Sequence, residues 1–129
     1  ATSGAGTLSG LLRLSGTDSA TNYDSQRLTS INATTTSAQT LNGASWPVTI
    51  SGMTGQHTGT VKLFNPGAAL ATTGMIAAGQ TPNPMTTSAV NYSGFIQHRV
   101  IIAYDGFTLS ASTGNIAGKI SVFGFYAGA

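Results

Sequence analysis

The chain has no cysteine and no glutamate, and its only acidic residues are Asp18, Asp24 and Asp105. Without cysteine there is neither a disulfide framework nor a thiolate metal site, so stability has to come from packing, strand pairing or partner subunits. Three carboxylates leave little for acid–base chemistry: Asp24 with Asp105, or Asp18 with Asp24, would have to converge with separated pKa values. Positive charge is also scarce. Arg13, Arg27, Lys62, Arg99 and Lys119 bring the net charge only to +2, and scattered cations without interleaved aromatics leave no footprint for nucleic acid. No apolar run approaches the roughly 20 residues that cross a bilayer as a helix, so no membrane partner is expected. No window sustains an i, i+3, i+4 apolar pattern with caps, which excludes a substantial helix.

What remains is rich in Ser, Thr and Gly, with apolar residues gathered into strand-sized clusters. Residues 1–7 are small and read as a flexible arm, and residues 8–129 as a single domain. Leu8 to Leu14 predicts the first strand, with a local irregularity at Ser9-Gly10. The Ser/Thr/Ala run from Thr29 to Thr40 predicts either a loop or a polar edge strand. Trp46, Val48 and Ile50 alternate on one face, with Pro47 at the strand entry. The residues from Gly52 to Gly59 are punctuated like a turn, and the strand from Thr60 to Phe64 stops at Asn65-Pro66-Gly67. A weaker strand covers Leu70 to Ile76, and the prolines at 82 and 84 force a loop. Phe95 to Tyr104 is a strand with a β-branched centre at Val100-Ile101-Ile102, and Asp105-Gly106 predicts a tight type I′ hairpin. Phe107 to Leu109 begins the return strand. Ile116 to Tyr126 is expected to close the domain, with Ile120 and Val122 on one face and Phe123 and Phe125 on the other. The sum is an all-β chain of about eight short antiparallel strands, a β-sandwich or jelly roll.

Nothing assembles into a reaction centre. There is no Gly-x-Ser-x-Gly elbow, and a Ser-His-Asp set drawn from abundant serines carries no information. His57 lies in the Gly-rich turn and His98 in a strand beside Arg99, with no third ligand at metal spacing. Asp18-x-x-x-Asn22-x-Asp24 is oxygen-rich but lacks the acidic ladder, Gly and terminal Glu of a calcium loop, so turn capping is the simpler use. No catalytic residue, cofactor or metal ligand is therefore assigned. Asp18, Asp24, Arg27 and Asp105 are read as structural, Asp24 and Arg27 pairing with each other or with Arg13 and Asp105 to fix loops. Trp46 and Tyr23, Tyr92, Tyr104 and Tyr126 supply either sugar-stacking handles or core and interface packing. Trp46, Phe123, Phe125 and Tyr126 are the candidate interface residues.

Two stretches carry a resemblance. Arg13-Leu-Ser-Gly-Thr-Asp-Ser-Ala-Thr-Asn-Tyr-Asp-Ser-Gln-Arg-Leu28 and Tyr104-Asp-Gly-Phe-Thr-Leu, followed by Ser-Thr-Gly-Asn-Ile116 and Gly-Lys-Ile-Ser-Val-Phe-Gly124, resemble a module of tailed-bacteriophage virion proteins. About a third of the chain is covered. The resemblance implies a β-sandwich used as a capsid decoration (cement) protein on the outer surface of the virion. Its expected partners are the major capsid protein and further copies of itself, commonly as a homotrimer. The alternative it implies is a tail or fibre-tip module binding a host-surface glycan. No catalytic motif belongs to the module.

Overall fold

A computed structural model describes residues 7–48, 56–81 and 90–124. Among these, every regular element is a strand: β1 (Leu8–Leu14), β2 (Thr17–Asp18), β3 (Tyr23–Ile31), β4 (Thr34–Gly43), β5 (Trp46–Pro47), β6 (Gln56–Phe64), β7 (Ala71–Thr81), β8 (Val90–Ile101) and β9 (Gly106–Ala111). They form two antiparallel sheets. The larger runs β4-β3-β8-β7-β6. In the smaller, β9 pairs with one edge of β1 over Leu8 to Arg13, while β5 and β2 take short stretches of the opposite edge. The protein is an antiparallel β-sandwich.

The core between the sheets is built by period-2 alternation. Leu12 of β1, Tyr23 of β3, Trp46 of β5, Ile76 and Ala78 of β7, and Tyr92 and Ile96 of β8 are buried together with Val48 and Tyr104. Leu8, Leu14, Val61, Leu63, Ile102 and Leu109 pack around them. In β1 the inward positions are 8, 10, 12 and 14, so the strand needs no irregularity at Ser9-Gly10. Gly10 occupies an ordinary inward position whose missing side chain is replaced by the Trp46 indole, and a Cβ there would fall inside that ring. Of the Ser/Thr run from Thr29 to Thr40, residues 29–31 complete β3 and residues 34–40 lie in the polar edge strand β4, the two joined by Asn32-Ala33 with Asn32 at φ 54°.

Several expectations are corrected. Gln56 to Gly59 extend β6 and do not turn, because they pair with Ala78 to Thr81 of an equally long β7. After Phe64 the chain turns at Asn65, which takes the left-handed conformation at φ 58°. The strand expected over Phe95 to Tyr104 runs instead from Val90 to Ile101; Ile101 is exposed, so the β-branched centre is not a doubly buried strand core. Asp105-Gly106 is no hairpin, because it carries the chain from β8 in the large sheet to β9 in the small one. The two-residue hairpin with positive φ at both positions is Ser15-Gly16 (49° and 81°), between the paired residues Leu14 and Thr17. Of the closing strand expected from Ile116, Ile116 itself forms a single β-bridge, Gly118 lies in a bend and residues 119–124 belong to no strand. Of the arm expected over residues 1–7, Thr7 is hydrogen-bonded to Ser112, while residues 1–6, together with Ile50, the proline loop, Phe125 and Tyr126, lie outside the described residues.

Candidate functional site

The two sequence stretches that carry the resemblance are far apart in the chain and fold onto each other. β1 and β9 pair along their length. Beyond the ladder, the Asp105 N–H donates to the Arg13 carbonyl at 3.0 Å, and the Ser15 N–H donates to Asp105 Oδ2 at 2.9 Å. Thr108 donates to Asp18 Oδ1 at 2.6 Å, and Arg13 reaches Thr108 Oγ1, the Gly16 carbonyl and, at 3.7 Å, Asp18. Asp18 and Asp105 thus hold the Ser15-Gly16 hairpin against the start of β9.

Asp24 is structural too, with a different cation. It sits at the register shift between Tyr23 and Ser25, accepts the Asn42 N–H at 2.8 Å and pairs with Arg99 at 3.0 Å. The pairing of Asp24 with Arg27 or Arg13 anticipated from the sequence is therefore corrected. Strand alternation puts Asp24 and Arg27 on opposite faces of β3. Arg27 lies on the inner side near Tyr92, whose hydroxyl pKa is raised by burial and drawn partly back by the guanidinium.

A buried polar network crosses the sandwich behind this corner. Between its short pairings with β5 and β2, one edge of β1 faces no strand, and two residues stitch the gap. The Tyr23 hydroxyl accepts the Leu12 N–H at 2.7 Å and donates to the Ser19 carbonyl at 2.9 Å, while the Ser19 N–H donates to the Leu12 carbonyl. Tyr23 also packs edge-on to Trp46 and, at 4.4 Å between ring centroids, tilted on His98. His98, only 2 % exposed, has Nε2 3.0 Å from both the Thr21 carbonyl and Ser19 Oγ, and Nδ1 3.1 Å from the Tyr104 hydroxyl. A carbonyl only accepts, so Nε2 carries the proton and Nδ1 accepts from Tyr104. The polarity is opposite to that of a catalytic relay, since Nε2 is occupied by its proton on the Ser19 side and Nδ1 accepts from Tyr104, and a ring sealed in the core in this way is placed to join loops. No group of three or more His, Cys, Asp or Glu side chains able to hold a metal occurs among the described residues.

Burial lowers the His98 pKa, opposed by the carbonyls of Thr21 and Val100. The folded state therefore holds His98 neutral while the unfolded chain takes up a proton near pH 6.5. Above that pH the group contributes no pH dependence. As pH falls below it the unfolded state binds more protons and stability drops, by at most about 1.4 kcal/mol per pH unit for one site. Urea midpoints are expected to decline between pH 7 and 5, ahead of carboxylate titration. A flat profile over that range would place His98 in contact with water.

The surface offers a different kind of site. On the outer face of the large sheet, strand register aligns Lys62, Met75, Phe95 and Gln26 in one cross-strand row, with Phe64 and Leu28 in the rows on either side. Met75 and Phe95 are 56 % and 49 % exposed, and Leu28 and Phe64 are similarly open. Alongside, Thr58, Thr60, Ala77, Gly79 and Asn91 leave a shallow depression. The face is thus a bulky apolar stripe beside a flat polar strip, with Lys62 among its few charges. Large contiguous apolar patches of this kind mark contact surfaces. Sequence reading missed it because Leu28, Phe64, Met75 and Phe95 come from four strands and share a face only through register.

Of the candidate interface residues, Phe123 is strongly exposed, whereas Trp46 is 2 % exposed and belongs to the core. Tyr23, Tyr92 and Tyr104 are buried as well, so none of these rings is available for stacking on a sugar. His57 lies within β6, not in a turn. No protein-family model matches the chain, and comparison with curated proteins and with solved structures finds no match.

Proposed function

We propose that the protein is a structural component of a phage virion, a decoration protein that binds the outer surface of the capsid as an oligomer. The observation that carries this reading is the exposed apolar stripe of Leu28, Phe64, Met75 and Phe95 on a sheet face poor in charge. The likeness of residues 13–28 and 104–124 to virion modules supplies the kind of partner, the major capsid protein and further copies of the chain. Covering four half-exposed side chains is worth about 1 kcal/mol each, or about 4 kcal/mol per copy, which corresponds to millimolar binding. One copy alone would hold poorly. A symmetric oligomer presenting several such faces gains orders of magnitude through effective concentration, which favours a trimer or similar ring on a symmetric shell. The buried aromatic rings favour this reading over the glycan-binding alternative.

The test is attachment. A Met75→Thr/Phe95→Thr variant keeps strand-compatible side chains at these half-exposed, cross-strand positions and is expected to stay folded at a cost of about 1–2 kcal/mol. It should fail to co-sediment with capsids that the parent coats. Unchanged co-sedimentation would move the attachment surface off this face.

A further inference from the structure

We propose that residues 119–123 of one copy add as a strand to the free edge of β9 in a second copy. This rests on the reading above that the chain works as an assembly of copies. Two unpaired elements carry the inference. The first is the segment itself: Ile120, Val122 and Phe123 are 60 %, 69 % and 79 % exposed in a stretch that belongs to no strand. Lys-Ile-Ser-Val-Phe is a strand sequence, with Ile120 and Val122 on one side and Ser121 and Phe123 on the other. A segment of this pattern has strong reason to pair, and among the described residues of its own copy it belongs to no strand.

The second element is β9. One of its edges pairs with β1, and among the described residues no strand lies on the other. Phe107, Leu109 and Ala111 share the inward face, because Phe107 is registered opposite the buried Leu12. Leu109 packs against the core, but Phe107 remains 40 % exposed. An open edge of this kind is a template for another strand. A strand laid there sets Ile120 and Val122 beside Phe107 and Leu109, continuing the apolar side, and sets Ser121 beside Thr108 and Ser110 on the outer side. Backbone pairing then supplies affinity and the alternate side chains supply register. Each copy carries one strand to give and one edge to fill, the condition for a closed symmetric exchange.

Because the chain has no cysteine, engineered thiols report without background. Ser121→Cys would be mixed with Ser110→Cys in one sample and with Thr108→Cys in another, covering both neighbouring registers. The mixtures would be unfolded and refolded together under mild oxidation, with light scattering giving the mass of the parent protein. The expected result is a disulfide-linked pair of chains in at least one mixture, with the parent an oligomer. An oligomeric parent with no linked pair in either mixture overturns the strand exchange and leaves the assembly reading standing. A Ser110→Cys/Ser121→Cys chain that closes on itself overturns it by placing the strand on its own β9. A monomeric parent contradicts both proposals.

Discussion

Gly10→Ala is expected to destabilise the fold by about 3 kcal/mol, at the upper end for adding one carbon to a packed core. The new methyl would enter the Trp46 indole, which is held between β1 and Tyr23 and has no room to retreat. Gly10 is also registered opposite both Trp46 and Leu109, so a backbone shift would disturb two strand pairings at once. The effect belongs to the pair. In a Trp46→Ala background, itself costing about 4 kcal/mol through the cavity it leaves, the same Gly10→Ala change should cost little. Urea denaturation of the two single variants and the double variant measures this coupling. Equal costs of Gly10→Ala in the two backgrounds would show that backbone freedom, and not the indole, sets the requirement for glycine.

Tyr23→Phe is the second large effect, expected at about 2 kcal/mol with the core still formed. The ring stays, so packing on Trp46 and His98 is kept, but the Leu12 N–H loses its acceptor in a buried position and the Ser19 carbonyl loses a donor. An unsatisfied buried donor costs about 1–3 kcal/mol. The Leu12 amide should also exchange with solvent much faster than its neighbours in β1. Unchanged protection at Leu12 would mean that another group closes the gap between β5 and β2.

The sequence conveyed the fold class because strand-sized apolar clusters between turn residues are a local signal, carried by β1, β6 and β8, whereas the Ser/Thr run that became β4 left a loop and an edge strand equally open. It did not convey which strands share a sheet. Asp105-Gly106 has the composition of a tight hairpin, yet whether β8 and β9 pair depends on the competing partners β3, β7 and β1, none of them local. Ser15-Gly16 carried the same turn chemistry in a less conspicuous dipeptide. Asp24 was legible as structural, but its partner was not: alternation turns Arg27 to the other face, and β8 brings in Arg99 across the sheet. Trp46 showed as a large anchor without showing which side it faced. The outer stripe was illegible since four separate strands contribute one residue each. Residues 119–123 mark the opposite case, where the sequence predicts a strand and the described residues provide no partner strand for it.

The most direct measurement of the account is the copy number of the protein in purified virions, by quantitative mass spectrometry with the major shell protein as internal standard. A decoration protein predicts abundance near that of the shell protein. A handful of copies per particle would contradict capsid decoration and place the domain on the tail, and complete absence would contradict the virion assignment itself.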